Sequence, residues 1–358
     1  MNKIFYVIIA LVAFIVLFLV LYKPFGGLPN KDDMNDYSKR SSIFIDKRFS
    51  NSSLYTEWTD LYSDRTTGKD VKPKDKLPVE KFSYVSNYDK DDVLITWFGH
   101  STILIQMNGL NILVDPIFSS VASPFFIGPK RFSELPCNID DLPDIDIVVI
   151  THDHYDHLDY KSIKKLNKKT SKFVVPLGID KDLERFGVDS NKITNMAWWE
   201  EINVDGLTIA CTPSSHYSAR FILDYGKSLY SSFVFKDSYN TVFVSGDTAY
   251  GDHFKEIGEK YDIDFALLDS GQYNVKWHNS HMFPEESVQA SIDLNSKLSM
   301  PIHWGAFVLS KHSWDDPANR FIMMAKEKNI DYMAPKIGKT VNIKDYKNYQ
   351  TEWWKDIK

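Results

Sequence analysis

The most informative part of the sequence is a stretch of nine residues, Thr151-His152-Asp153-His154-Tyr155-Asp156-His157-Leu158-Asp159. It places three histidines and three aspartates directly after a short, mostly apolar run at residues 146–150. His152 and His154 stand two residues apart, so both side chains can point the same way, while Asp156 and His157 can face a neighbouring position. The stretch therefore predicts two adjacent metal sites. Imidazole and carboxylate ligands suit zinc, although manganese and iron accept similar sets.

Three further candidate ligands, His216, Asp247 and His303, each follow an apolar run later in the chain. Loops at strand ends are where a rigid scaffold carries catalytic groups, so these residues can converge with the first stretch. A solvated, histidine-rich turn is the alternative for the first stretch, but it leaves the three later residues unexplained. The expected metal ligands are His152, His154, Asp156, His157, His216, Asp247 and His303.

Strands and helices interleave on both sides of the histidine stretch. Apolar runs at residues 101–107 and 110–115 are separated by Asn108-Gly109, which indicates a β-hairpin. A long loop at residues 116–143 follows and is a candidate substrate wall. The order of elements predicts an α/β fold in which two mixed sheets pack face to face with helices outside.

The composition suits a large globular domain and gives no sign of a nucleic-acid partner. The chain has 358 residues, 43% of them hydrophobic, and a formal net charge of −6. This charge provides no basic surface on which to bind a phosphate backbone, so no nucleic-acid partner is expected. The two cysteines, Cys137 and Cys211, are expected to be buried thiols.

The N-terminus carries an uncharged run at residues 4–22, 19 residues long. As a helix it would be roughly 28 Å long, which predicts an uncleaved transmembrane anchor over residues 1–23. A cleaved signal peptide is the alternative, but no small-residue cleavage site precedes Lys23. We therefore expect a single-pass protein of the cell membrane. Lysines and arginines on both flanks leave the side of the membrane open.

The motif from His152 to His157, with His216, Asp247 and His303 following in order, resembles the metallo-β-lactamase superfamily. Shorter stretches are similar to one branch of it, the N-acyl-phosphatidylethanolamine-hydrolysing phospholipases D. The resemblance spans approximately residues 93–338. The stretches that carry the similarity to this branch are residues 96–102, 115–120, 128–132, 154–160, 198–201 and 302–305.

This resemblance implies an αββα four-layer sandwich that holds two divalent metal ions, with Zn²⁺ favoured. By resemblance, one ion would be held by His152, His154 and His216 and the other by Asp156, His157 and His303, with Asp247 bridging both. His100 and His281 match histidines near the family's site. Together with Asp156 they are the expected catalytic residues, although a core histidine remains the alternative for His100. Ser280 stands where glutamine is expected, a departure that bears on head-group contacts and not on the metals.

The expected function is the cleavage of N-acyl-phosphatidylethanolamine to N-acylethanolamine and phosphatidic acid, with a phospholipid as substrate and the membrane as partner through the N-terminal helix. The alternatives are a lactonase or another phosphodiesterase that uses the same metals, and an inactive membrane-tethered metal-binding protein. The chain is expected to divide into an anchor at 1–23, a linker and N-terminal arm at 24–90, the hydrolase domain at 91–345 and a C-terminal tail at 346–358. Three other histidines are expected at the surface: His253, His278 and His312.

Overall fold

The computed structural model describes residues 3–50 and 70–357. The strands are β1 (Phe44–Ile45), β2 (Arg48–Phe49), β3 (Leu94–Trp97), β4 (Ile103–Met107), β5 (Leu110–Val114), β6 (Ile145–Val149), β7 (Thr170–Pro176), β8 (Ile193–Met196), β9 (Glu201–Val204), β10 (Leu207–Thr212), β11 (Ser232–Lys236), β12 (Thr241–Val244), β13 (Phe265–Asp269), β14 (Leu298–Ile302) and β15 (Thr340–Asn342). The helices are α1 (Lys3–Leu21), α2 (Lys31–Arg40), α3 (Tyr160–Leu166), α4 (Ile179–Phe186), α5 (His253–Lys260), α6 (Pro284–Asp293) and α7 (Asp316–Lys328).

Two mixed sheets form the body of the molecule. The seven-stranded sheet has the order β15-β3-β4-β5-β6-β7-β8, and the six-stranded sheet has the order β14-β13-β12-β11-β10-β9. β4 and β5 form the expected hairpin, in which Met107 pairs with Leu110. Asn108 and Gly109 both have positive φ, 53° and 74°, as a two-residue hairpin turn of this kind requires.

Side chains alternate between two buried faces along the strands of the seven-stranded sheet. Ile103 and Ile105 belong to the core cluster that also contains residues of the six-stranded sheet, whereas Leu104 belongs to a second cluster with residues of α3 and α4. β6 repeats this pattern, with Ile147 facing the first cluster and Val148 the second. The sheets therefore pack face to face, and helices cover the outer face, as the order of elements predicts.

The predicted transmembrane anchor is wrong. A helix needs about 20 consecutive apolar residues to cross a hydrocarbon core of about 30 Å. α1 has 19 residues and begins at Lys3. In the part of the chain that the structure describes, no helix combines the length and hydropathy that a bilayer crossing requires. This finding corrects both the anchor at residues 1–23 and the single-pass membrane localisation, and it leaves attachment through this helix unsupported.

The segment that follows α1 packs against the sandwich. The hydroxyl group of Tyr22 donates to the carbonyl of Pro124. In α2, Tyr37 is buried, and the guanidinium of Arg40 pairs with the carboxylate of Glu200 at 2.7 Å. Residues 24–90, expected to be a linker and irregular arm, thus contain a helix and a small hairpin, while residues 51–69 lie outside the described chain.

The C-terminal residues also pack on the body of the molecule. Trp354 has no exposed surface, and its ring centroid lies 5.1 Å from that of Trp304. Trp304 follows β14 and lies directly after His303, so this aromatic contact supports the backbone behind a candidate ligand.

Candidate metal centre

The predicted ligands meet because their strands run in one direction. β6 is parallel to β5, and β12 is parallel to β13 and β14. β10 and β12 each pair antiparallel with β11, so β10 has the same direction as β12. The nine-residue stretch follows β6, and the three later candidates follow β10, β12 and β14. All seven therefore leave carboxyl ends of strands, where the loops of the two sheets converge.

One group of candidate ligands consists of His152, His154, His216 and Asp247, whose ligand atoms all lie within 4.8 Å of one another. His154 Nδ1 is 3.0 Å from His152 Nε2 and 3.1 Å from His216 Nε2. Asp247 Oδ2 lies 3.7 Å from His152 Nε2. Three imidazoles and one carboxylate thus face a common point, as a four-coordinate site requires.

A second group consists of His100, Asp156, His157 and His303. His157 Nε2 lies 3.5 Å from Asp156 Oδ2 and 3.2 Å from Asp247 Oδ2. His303 Nδ1 lies 3.2 Å from the other oxygen of the same carboxylate, Asp247 Oδ1. The Asp247 carboxylate therefore lies between the two groups and is within reach of both.

The two predicted histidines outside the ligand set lie at the same site. His100 is completely buried, and its Nε2 is 2.8 Å from Asp156 Oδ2. His281 Nδ1 is 3.0 Å from Asp269 Oδ2 and 4.0 Å from Asp247 Oδ2. His100 thus orients a candidate ligand, while His281 lies on the open side of the site.

Sequence reasoning missed two carboxylates. Asp115, directly after β5, places its Oδ2 2.7 Å from His157 Nδ1 and accepts hydrogen bonds from the backbone and side chain of Thr151. Asp269, the last residue of β13, orients His281. Each carboxylate stands at the carboxyl end of a strand that neighbours a ligand-bearing strand. This position is the feature of the sequence from which they could have been predicted.

The electrostatics of the site favour metal binding. Burial lowers the pKa of His154 to about 4 and that of His216 well below its usual value, so both imidazoles are neutral and keep a lone pair for a metal. Burial acts against charge on Asp247 too, but the neighbouring His157 and His303 outweigh it and hold the pKa of this carboxyl well below its usual range. His157 differs: burial opposes its charge, but the carboxylates of Asp247, Asp156 and Asp115 hold its pKa well above the usual value, so a metal bound there would displace its proton.

The buried atoms at the centre that have no hydrogen-bond partner among the described residues include His157 Nε2 and Asp247 Oδ1. Buried polar atoms are normally satisfied, and both of these point to the interior of the site. Five imidazoles and two carboxylates also exceed what a single tetrahedral site needs. The residues present therefore fit divalent metal ions.

A buried arginine holds the nine-residue stretch in place. Arg220 donates from Nη1 to the carbonyls of Asp153 and Leu158, the latter at 2.9 Å. Its Nη2 donates to the carbonyl of Pro24 at 2.9 Å, and its Cζ lies 4.3 Å from the ring centroid of Tyr155. One guanidinium thereby joins both ends of the metal-binding stretch to the segment after α1.

The backbone behind the second group adopts an uncommon conformation. His100 and His303 have positive φ, 57° and 69°. The two residues are joined by backbone hydrogen bonds, from His303 N to His100 O at 3.0 Å and from His100 N to Trp304 O at 2.8 Å. This short bridge connects the end of β3 in one sheet to the end of β14 in the other.

A cavity of about 430 Å³ opens onto the centre. Its polar wall includes His154, Asp156, Asp247, His281 and His303. Its remaining wall includes Ala122, Tyr217, Trp277 and Leu309. Ala122 belongs to the long loop at residues 116–143, which the sequence indicated as a substrate wall.

The three histidines expected at the surface are not exposed. His253 and His312 are buried, at 1% and 5% exposure, and His278 is partly buried beside Glu286 at 2.7 Å. His253 directly follows Gly251-Asp252 and packs on Phe254, so its ring takes part in the core beneath α5. The prediction that these three histidines lie at the surface is therefore wrong.

Comparison with known proteins agrees with this architecture. The β-lactamase superfamily domain model matches residues 110–304. An uncharacterised protein of Mycobacterium tuberculosis is 36% identical over 260 residues, which cover 71% of this chain and 70% of the relative. The N-acyl-phosphatidylethanolamine-hydrolysing phospholipase D 1 of Caenorhabditis elegans is 32% identical over 301 residues, which cover 76% of this chain and 85% of the relative.

Among solved structures, a metallohydrolase of the archaeon Ignicoccus hospitalis superposes with a TM-score of 0.55 at 23% identity, covering 70% of this chain and 98% of that one. At this identity the similarity shows the fold alone. Together with the family match and the relatives, it confirms the expected fold and the expected resemblance. The chain belongs to the metallo-β-lactamase superfamily and is a metal-dependent hydrolase of that superfamily, similar to the N-acyl-phosphatidylethanolamine-hydrolysing phospholipases D.

Proposed function

We propose that this hydrolase is a phosphodiesterase of the phospholipase D type that cleaves N-acyl-phosphatidylethanolamine to N-acylethanolamine and phosphatidic acid. The observation that carries the proposal is the position of the Asp247 carboxylate, which reaches both ligand groups. Its Oδ2 lies 3.2 Å from His157 Nε2 and 3.7 Å from His152 Nε2, and its Oδ1 lies 3.2 Å from His303 Nδ1. A pair of ions that share a carboxylate suits displacement at phosphorus. The activity for which the C. elegans relative is named supports this choice of substrate.

The proposed ligand assignment follows the two groups. His152, His154 and His216 would hold one ion, Asp156, His157 and His303 the other, and Asp247 both. The predominance of imidazole favours Zn²⁺ as the native metal. When bound, two such ions act as Lewis acids that activate water and stabilise the entering and leaving oxygens.

The reaction joins a water oxygen to phosphorus and breaks the bond between phosphorus and the ethanolamine oxygen, which then needs a proton. His281 is placed to give it, because it lines the cavity and is oriented by Asp269 through Nδ1, which leaves Nε2 for the substrate. His100 has no part in the cavity wall and acts by holding Asp156. We therefore propose His281 as the general acid and His100 as a positioning residue.

The experiment offers purified, metal-loaded protein three substrates: N-acyl-phosphatidylethanolamine, phosphatidylethanolamine and a long-chain lactone. Products are identified by mass spectrometry in water enriched in ¹⁸O. We expect the first substrate to give N-acylethanolamine without label and phosphatidic acid that carries it, because the broken bond is the one to phosphorus. Metal analysis of the same preparation should give about two zinc ions per chain.

Asp247→Asn is the matched test of the centre, and Asp262→Asn is its control, because Asp262 is an exposed surface carboxylate with 80% side-chain exposure. Asp247→Asn should lose activity by a factor of at least about 10³, while Asp262→Asn keeps it. Turnover of the lactone but not of the phospholipid by the wild type would reject the phosphodiesterase proposal. Label in the N-acylethanolamine would reject attack at phosphorus.

A further inference from the structure

A second cavity, of about 680 Å³, lies between α3 and the long loop after β5. We name it the α3 cavity, and it shares no lining residue with the cavity at the metal centre. Its wall contains four lysines and a single carboxylate, Asp140. The lysines are Lys161, Lys164, Lys165 and Lys168.

The four lysines form a patterned group. They are spaced at i, i+3, i+4 and i+7 along α3 and the turn that follows, which places them on one face. Among the described residues, none of their ammonium groups forms an ion pair with a carboxylate. Like charges at this spacing repel each other, and the chain as a whole has a net charge of −6. The wall of the α3 cavity therefore carries a local excess of positive charge, which favours the binding of an anion.

The other residues of the wall indicate what the rest of the ligand consists of, beside its anionic group. Phe118, Leu135 and Ile139 supply apolar surface, and Ile139 is only 4% exposed. Ser119 and Ser120 add hydroxyl groups at the same wall. A basic rim over an apolar floor fits an amphiphile whose head group carries phosphate and whose chain is hydrocarbon.

A third cavity, which we name the groove, lies next to both the α3 cavity and the cavity at the metal centre. This groove, of about 320 Å³, shares Tyr160 and Lys161 with the α3 cavity and Tyr155 with the cavity at the centre. The stretch that carries the ligands also ends at α3, where Asp159 accepts hydrogen bonds from Ser119 at 2.6 Å and from the backbone of Ser162 at 3.2 Å. An occupant of the α3 cavity would therefore lie beside the groove and beside the end of the stretch that carries the candidate ligands.

From this arrangement we propose that the α3 cavity is an accessory binding site for a phosphate-bearing amphiphile, recognised by Lys161, Lys164, Lys165 and Lys168. The phosphate group is the shared chemistry of a lipid head group and of free phosphate, and the cavity volume and apolar floor favour the lipid. This binding does not depend on the reaction proposed above, because it requires no turnover.

The test measures binding of dihexanoyl phosphatidic acid, inorganic phosphate and dihexanoyl phosphatidylcholine to the full-length, metal-loaded protein by isothermal titration calorimetry. The variant Lys164→Gln/Lys165→Gln/Lys168→Gln removes three charges from the cavity. Its control, Lys255→Gln/Lys328→Gln/Lys347→Gln, removes three charges from exposed positions elsewhere. Both variants keep the metal centre, so a difference between them reports the α3 cavity alone.

We expect the phosphatidic acid to bind the wild type and the control at least tenfold more tightly than the cavity variant. The loss should be largest at low ionic strength, because salt screens these charges. The phosphatidylcholine, whose phosphate carries choline, should bind weakly to all three proteins. Inorganic phosphate that binds as tightly as the lipid would assign the site to free phosphate and reject the amphiphile.

Equal affinities of the cavity variant and the control for phosphatidic acid would overturn the proposal. All four lysines are exposed, so the variants should fold, and their circular dichroism and melting temperature establish this. Lys168→Glu alone provides a second test, since one reversed charge should weaken binding of the lipid while leaving turnover of a soluble phosphodiester unchanged.

Discussion

At the scale of single residues, the centre depends on groups that do not themselves face the cavity. Asp115 is completely buried, and its carboxylate contacts His157 Nδ1, which turns Nε2 toward Asp247. Such partners fix the ring orientation of a metal-ligating histidine and raise its basicity. The orientation of His157 is therefore determined by a residue 42 positions away in the sequence.

Asp115→Asn should weaken metal binding at the second group. The amide keeps the size of the side chain but loses the charge that supports His157, so we expect about 10–100-fold lower metal affinity and activity. Competition with a chromogenic chelator measures the affinity. Asp146→Asn is the control, because Asp146 is a partly buried aspartate near the amino end of β6, the end away from the centre. An unchanged affinity in Asp115→Asn would show that His157 needs no support from this carboxylate.

His100→Ala should reduce kcat about 10–100-fold while the protein remains folded, because Asp156 loses the partner that orients it. His253→Ala, a buried histidine of α5, is the control for loss of core volume. The two variants should lose comparable stability in thermal melts, and only His100→Ala should lose activity. Equal kcat values for the two would make His100 a core histidine only.

The sequence revealed the candidate ligands but not their supporting carboxylates, for a physical reason. His152 to His157 lie close together in the chain, so their chemistry is visible as a local pattern. Asp115 and Asp269 act across 42 and 12 residues, and nothing near them in the sequence marks their partners. Only the direction and order of the strands bring these carboxylates to the centre.

At the scale of elements, the nine-residue stretch is held from outside by Arg220. The guanidinium joins the carbonyls of Asp153, Leu158 and Pro24, so it couples the nine-residue stretch to the segment that follows α1. The planar fork of arginine makes these contacts simultaneously, which a lysine ammonium cannot do. The stretch therefore has a support that involves none of its ligands.

Arg220→Lys should destabilise the protein by about 2 kcal/mol, because charged hydrogen bonds to buried carbonyls are lost. It should also speed the release of metal to a chelator. Arg320→Lys is the control, since Arg320 is a buried arginine of α7 that pairs with Glu285 at 2.6 Å. Both variants should have a lower melting temperature than the wild type, and only Arg220→Lys should release metal faster. Equal release rates would confine Arg220 to a role in stability.

The hairpin of β4 and β5 was predictable because Asn108-Gly109 is a local turn signal with a defined backbone requirement. The role of Arg220 was not, since its partners lie 62 to 196 residues away. The N-terminal helix shows a different difficulty. An uncharged run of 19 residues is close to the shortest helix that spans a membrane. The sequence alone therefore predicted a transmembrane helix where the structure has none among the described residues.

At the scale of the whole molecule, the metal centre joins the two sheets. Asp156 and His157 follow β6 of the seven-stranded sheet, whereas His216, Asp247 and His303 follow strands of the six-stranded sheet. Metal ions held by these residues would therefore crosslink the two halves of the sandwich. The α/β class and the sandwich were predictable because the motif and the alternation of elements both indicate them.

Removing the metal should lower the melting temperature by at least about 5 °C, since ligand at 100 times its Kd contributes about 2.7 kcal/mol. Dialysis against a chelator followed by differential scanning calorimetry measures this, and added zinc should restore the original value. Calcium, which prefers oxygen ligands, should not. A melting temperature that is the same with and without metal would contradict a crosslinking role.

The backbone bridge between His100 and His303 restricts which substitutions these two positions tolerate. Both residues hold a left-handed backbone that costs a non-glycine residue of order 1 kcal/mol. Glycine at either position would relieve that strain, and it would also delete a side chain of the second ligand group. That loss of buried contacts and of metal binding outweighs the relieved strain, so a laboratory selection for heat resistance should retain both strained histidines even when turnover is not scored.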